Sequence, residues 1–168
     1  MAENASTLNP TPDGLSTPPK EGTHALYTVY EGRQNDVKAL INLEDPRKEL
    51  VSPLLNMRGM ERHLNDFLAG WGDHPYLMDI SRSPLDIASD VIGERDLHNP
   101  KNHFENKRNW FAEVKAKNNS LIPVVSWLDT DNARDIIQLA RLLLTDFNII
   151  AVRVVCPPEI VGQAGTGP

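Results

Sequence analysis

Four arginines, Arg33, Arg58, Arg82 and Arg153, stand within or just after short apolar runs of this sequence. Each guanidinium is a planar fork of hydrogen-bond donors, so several converging on one place would make a site for phosphate or carboxylate. Three carboxylates occupy comparable positions, Glu31, Asp79 and Asp129. Two readings of them stay open. They could do catalytic work or hold a Mg²⁺-type cation through oxygen ligands. They could equally be counter-ions that pair with the arginines on a polar rim. Asn56 and Trp127, beside Arg58 and Asp129, complete the candidate ligand-binding set. For Asp129 and Asp131 the alternative role is a helix cap, and Asp131 is expected to cap the helix that follows it.

Other chemistry finds little support. The histidines, His24, His63, His74, His98 and His103, form no HxxxH or HExxH pattern, so no metal site of zinc type is expected. Cys156 is the single cysteine, which excludes a disulfide framework, and no base stands beside it in the sequence. GxSxG, the Walker lysine loop and GxGxxG are all missing. No cofactor is predicted beyond the candidate Mg²⁺, and whether the chain is an enzyme stays open.

These residues need elements to position them. Residues 24–30, 50–57, 75–80, 121–128 and 148–155 are short β-branched, aliphatic or aromatic runs and are expected as strands. Pro53 is tolerated near the start of the second. Between them, residues 35–43, 60–71, 103–118 and 131–144 carry apolar residues at helical spacing, with Gly72 closing the second helix. Residues 81–102 are polar and proline-containing, a loop with at most one short helix. Trp71, Trp110, Phe104 and Phe111 lie at helical spacing and are expected in the core. Alternation of strands with helices implies an α/β fold with a parallel sheet. Five strands and four helices fit the N-terminal half of a TIM-like (β/α)8 barrel, or an open doubly wound sheet. In either, ligands sit at the C-terminal ends of the strands, which is where the arginines and carboxylates fall.

Composition bounds the rest. The chain has 168 residues, 17 Lys plus Arg against 23 Asp plus Glu, and a net charge of −6. That balance argues against nucleic acid as a partner. No apolar run reaches membrane-spanning length, and the N-terminus lacks the basic and apolar regions of a secretory signal, so a cytoplasmic location with no membrane contact is expected. Residues 1–22 hold four prolines and few large aliphatics and are expected to be a disordered arm. Residues 157–168 read as a flexible tail, leaving residues 23–156 as the folded domain.

The order of several short motifs resembles the beta protein family of phages, prophages and bacteria. Its pattern runs GE..AL, PL.E, W......lD, iPV and aiR after a first strand. Here these stand as Asn35-Asp36-Val37-Lys38-Ala39-Leu40, Pro53-Leu54-Leu55-Asn56, Trp71 through Asp79, Ile122-Pro123-Val124 and Ile150-Ala151-Val152-Arg153. The resemblance spans residues 24–155 and implies a barrel-like fold in chains about twice as long. It brings a context rather than a mechanism. Two departures matter: the family's Gly-Glu is Asn35-Asp36 here, and its second-strand glutamate is Asn56. The fifth strand, the most apolar, is expected to be left at an edge, which points to a partner: a second copy, a complementary protein half, or a host protein.

Overall fold

Runs of valine, isoleucine, leucine and tyrosine pair as extended chain here because their branched side chains pack well on a pleated surface. The computed structural model of the chain describes residues 25–30, 34–58, 61–87 and 90–154. The expected arm 1–22 and tail 157–168 lie outside the described residues, as do Glu31, Arg33 and Cys156. Strands β1 (Ala25–Tyr30), β2 (Val51–Met57), β3 (Tyr76–Ile80), β4 (Leu121–Trp127) and β5 (Ala151–Val154) lie side by side in chain order. Every neighbouring pair is parallel. A doubly wound sheet reverses its strand order at a switch point. No reversal occurs, so that alternative is set aside and the sheet curls as a half-barrel.

The longer helices stand where apolar periodicity placed them: α1 (Gln34–Ile41), α3 (Glu61–Trp71), α6 (Glu105–Lys117) and α7 (Ala133–Asp146). Gly72 follows α3 at φ +80, a conformation that favours glycine. Three short helices add to the expected four. These are α2 (Asp45–Lys48), α4 (Pro84–Ile87) and α5 (Asp90–Glu94), the last two within the stretch read as loop. Asn132, not Asp131, caps α7, its side chain accepting from Arg134 N at 2.9 Å.

One face of the sheet carries the helices. Leu55, Met57, Tyr76, Met78, Ile80, Leu121 and Val125 point to this outer side and pack with Phe67, Trp71, Phe111 and Leu139. Phe67 stacks on Trp71 at 5.4 Å between ring centres and meets the Tyr76 ring edge-on at 5.2 Å. Parallel strands buried on both faces need not alternate in polarity, which explains the continuous apolar run of β4. β5 departs from that expectation. Its paired part is Ala151–Val154, with residues 148–150 before it, and outward-facing Val152 and Val154 are 59% and 64% exposed.

The chain enters α6 through an unusual turn. Asn102, His103 and Phe104 have φ of 53°, 58° and 56°, three consecutive left-handed residues. This conformation costs about 1–2 kcal/mol for each L-residue that is not glycine. Local bonds hold it. Arg108 donates to the carbonyls of Asn102 and His103 at 3.1 Å each, and Asn102 Nδ2 donates to Glu105 at 2.8 Å. Phe104 is thereby turned into the core.

Candidate functional site

Side chains alternate along a strand, so the neighbours of the outward residues face the inside of the half-barrel. Near the C-terminal strand ends these are Asn56 on β2, Asp79 on β3, Ser126 on β4 and Arg153 on β5. Register places Asn56 beside Asp79 and Ser126 beside Arg153. With Ser81, Arg82, Ser83, Ile80 and Leu128 they line a cleft of about 270 Å³.

Asp79 is the centre of this belt. Its Oδ1 accepts from Ile80 N at 2.8 Å and from Ser126 Oγ, and its Oδ2 accepts from Arg153 Nη1 at 3.0 Å. Two more ion pairs flank it. Arg82 grips Asp131 with both terminal nitrogens, at 2.5 and 2.7 Å, and Asp131 also accepts from Leu128 N at 2.9 Å. Burial alone would raise the Asp131 carboxyl, but the hydrogen bonds of Arg82 and Leu128 and the charge of Arg82 outweigh it and hold it below the usual range. Arg58 Nε meets Asp86 Oδ2 at 3.0 Å, and Ser81 Oγ donates to the same oxygen at 2.6 Å. Each described arginine of the predicted set therefore has a carboxylate partner.

Behind Ser81 lies a second polar group with no counterpart in the sequence expectations. His98 Nε2 is 2.8 Å from the Ser81 carbonyl, and Lys107 Nζ is 3.3 Å from His98 Nδ1. A neutral ring that donates from Nε2 and accepts at Nδ1 satisfies both contacts. Burial, then the charge of Lys107, lowers His98 to about 4. The unfolded ring takes its proton near pH 6.5, before the native ring does. The native state therefore has His98's contribution in full above pH 6.5 and loses it as pH falls towards 4. The expected loss over that window is about 1–2 kcal/mol, discounted because the ring is partly solvated. Urea midpoints from pH 7 to 4 check this: His98→Gln should flatten the curve, and an unchanged curve refutes the assignment.

The predicted residues divide clearly. Asn56, Asp79, Arg82 and Arg153 come together on the cleft, and Arg58 lies against Asp86 next to it. Trp127 does not join them. It follows inward-facing Ser126, so it points outward, and it is 39% exposed. Asp129 is exposed in the turn after β4 and does not line the cleft. Glu31 and Arg33 fall outside the described residues. Among the described residues no three His, Cys, Asp or Glu side chains gather as a metal ligand set. Ser81 falls with Asp79 and Arg82 at the end of the third apolar run, whereas Asp131, Asp86, Ser126, His98 and Lys107 are site residues that sequence reasoning does not supply. A signal existed for Lys107 alone, which sits on the apolar face of α6 beside Phe104, Trp110, Phe111 and Val114.

Among the described residues no helix is long and apolar enough to cross a membrane. No family model matches the chain, and no solved structure matches it. Among curated proteins it is similar to protein beta of Enterobacteria phage P4, 26% identical over 137 residues, or 78% of this chain. The match covers 37% of that protein, so the chain spans well under half the length of its curated relative. The similarity is distant homology, in line with the resemblance to the beta family read from the motifs.

Proposed function

We propose that this distant relative of a phage protein is a binding module, the N-terminal half of a TIM-like barrel whose strand-end cleft takes a small polar ligand. One observation carries the reading. Asn56 Oδ1 is buried on the cleft wall and has no hydrogen-bond partner among the described residues. A buried polar atom left unpaired costs about 1–3 kcal/mol, a cost that an arriving ligand would relieve. The alternative is an enzyme, or the remnant of one, acting on a phosphorylated or anionic ligand with Arg58, Arg82 and Arg153. It needs an available carboxylate, and Asp79 already holds three partners.

Thermal unfolding with a panel of phosphate, nucleotides, sugars and amino acids, each with and without Mg²⁺, tests the proposal. At least one ligand should raise the midpoint, with about 2.7 kcal/mol of stabilisation at a hundredfold excess over Kd. Asn56→Leu should abolish the rise. A shift that appears only with phosphate or nucleotide plus Mg²⁺ favours the enzyme alternative. No shift with any ligand ends the binding reading.

A second reading rests on a different observation. Ile137, Leu144, Ile149, Val152 and Val154 are 50–64% exposed on α7, before β5 and on the outer side of β5. The outward residues Leu55 and Met57 of β2, Tyr76, Met78 and Ile80 of β3, and Leu121 and Val125 of β4 are covered by helices, whereas Trp127, the neighbour of Val154, shares the exposure. We read this as the surface where a second copy completes the barrel. Among the described residues β1 and β5 are the two sheet edges. A two-fold along the barrel axis would join β5 of each copy to β1 of the other and satisfy both. Light scattering should give twice the chain mass, and Val152→Asp should return it to monomer. A folded, monodisperse monomer at micromolar concentration refutes it and leaves a complementary half or a host protein as the partner.

A further inference from the structure

The charges of the cleft wall are matched among themselves, while some of its uncharged hydrogen-bonding groups are not. We infer that the ligand is an uncharged vicinal diol, of the kind presented by a monosaccharide ring or by the ribose of a nucleoside. This rests on the cleft being a binding site, and it narrows that reading to a chemical class.

The wall itself argues against a charged ligand. Arg153 holds Asp79 at 3.0 Å and Arg82 holds Asp131 at 2.5 and 2.7 Å. An anion would have to compete with Asp79 for Arg153, and Asp79 has a side chain only 5% exposed. Leaving a buried carboxylate without its cation is strongly unfavourable. An ammonium group would enter beside Arg153 and Arg82 with no carboxylate left unclaimed among the lining residues. A neutral group displaces neither ion pair.

The unmet hydrogen bonds favour hydroxyls. The protons of Ser126 Oγ and Ser81 Oγ are committed to Asp79 and Asp86, and Ser81 Oγ also accepts from Ser83 N at 3.3 Å, so Ser126 Oγ has only lone pairs to offer and Ser81 Oγ a single one. Asn56 Oδ1 is a third acceptor. Against these stands Arg153, which among the described residues donates through Nη1 alone, leaving its other N–H groups for a ligand. A hydroxyl both donates and accepts. Two adjacent ones can give a proton to Asn56 and take one from Arg153. A hydroxyl also satisfies Asn56 whichever end of the amide faces it. Ile80 and Leu128 supply an apolar wall for the C–H face of a ring.

Isothermal titration of the full chain with D-ribose, D-glucose and uridine tests this, with inorganic phosphate and glycine as the charged comparisons. At least one diol should bind, and a deoxy analogue chosen so that no two adjacent hydroxyls remain should bind at least about tenfold more weakly. Ribose or glucose without uridine identifies a sugar, and uridine alone identifies a nucleoside. Asn56→Leu should weaken the same ligand by a similar factor with the circular dichroism spectrum retained. Should that variant not fold, the deoxy analogue carries the test alone. Equal binding of diol and deoxy analogue overturns the inference. Binding of phosphate or glycine in place of the diols also overturns it, yet leaves the cleft a binding site. Silence from all five, with the chain folded, removes both.

Discussion

Asp79→Ala is expected to lower the unfolding free energy by about 2–3 kcal/mol. Asp79 as a residue is 3% exposed, and its carboxylate holds a backbone N–H, the Ser126 hydroxyl and the Arg153 guanidinium at once. Breaking a fully buried pair costs about 3–5 kcal/mol because a charge is stranded. The Arg153 side chain is 38% exposed, so water recovers part of that loss and the lower figure applies. Equilibrium urea unfolding measures it. Asp79→Ala combined with Arg153→Leu should be less destabilised than the sum of the two single variants, because no stranded charge remains. A single-variant loss under about 0.5 kcal/mol, within the range of an ordinary surface change, would mean that the belt does not hold the strand ends together.

The second large effect runs the other way. Lys107 is 6% exposed and makes no ion pair among the described residues; its ammonium faces His98 Nδ1 and the Phe104 ring, 5.4 Å from the ring centre. Burial, helped by the charge of Arg82, lowers it to about 8. Lys107→Met is expected to raise stability at pH 7 by about 1–2 kcal/mol, since removing a buried charge outweighs leaving His98 Nδ1 unpaired. The pH dependence identifies the cause. The unfolded lysine keeps its proton up to about pH 10.4 while the native one releases it near 8. The unfolded state thus binds more protons between those values, and wild-type stability rises with pH there. The variant should be flat. Readings should stop at pH 10, because burial raises the Tyr76 hydroxyl and its linkage has the opposite sign. Parallel curves for the two proteins would show that Lys107 does not titrate in this window.

Both experiments concern groups that differ in how far they could be read from sequence. Asp79 and Arg153 were legible because each falls on or at the end of an apolar run, and strand ends in parallel sheets collect ligand-facing residues. Asp131 reads as a cap because the helix beside it is local information. Its actual partner, Arg82, is 49 positions away, and no periodicity reports a pairing of that span. Trp127 lies outside the cleft for a different reason. LIPVVSW is apolar on both faces, so the residues themselves do not say which alternate set points inward, and one step of parity moves Trp127 from the cleft to the outside. Lys107 was visible on an apolar helix face, but its histidine neighbour comes from a stretch whose left-handed turn has no sequence signature beyond Asn102.

The chain-order sheet has a bearing on how the molecule is made. Strand partners are Ala25 with Val51, Leu54 with Leu77, Tyr76 with Leu121 and Val124 with Ala151. Each pairing needs only the segment just synthesised, so the sheet can grow one strand at a time as the chain leaves the ribosome, without waiting for a distant partner. The widest closure is that between β3 and β4, which also encloses α4, α5, α6 and the left-handed turn. Closing that loop should therefore be the slow step of assembly. The Asp79–Arg153 pair, which spans it and forms only when β5 arrives, would act as the latch that marks completion.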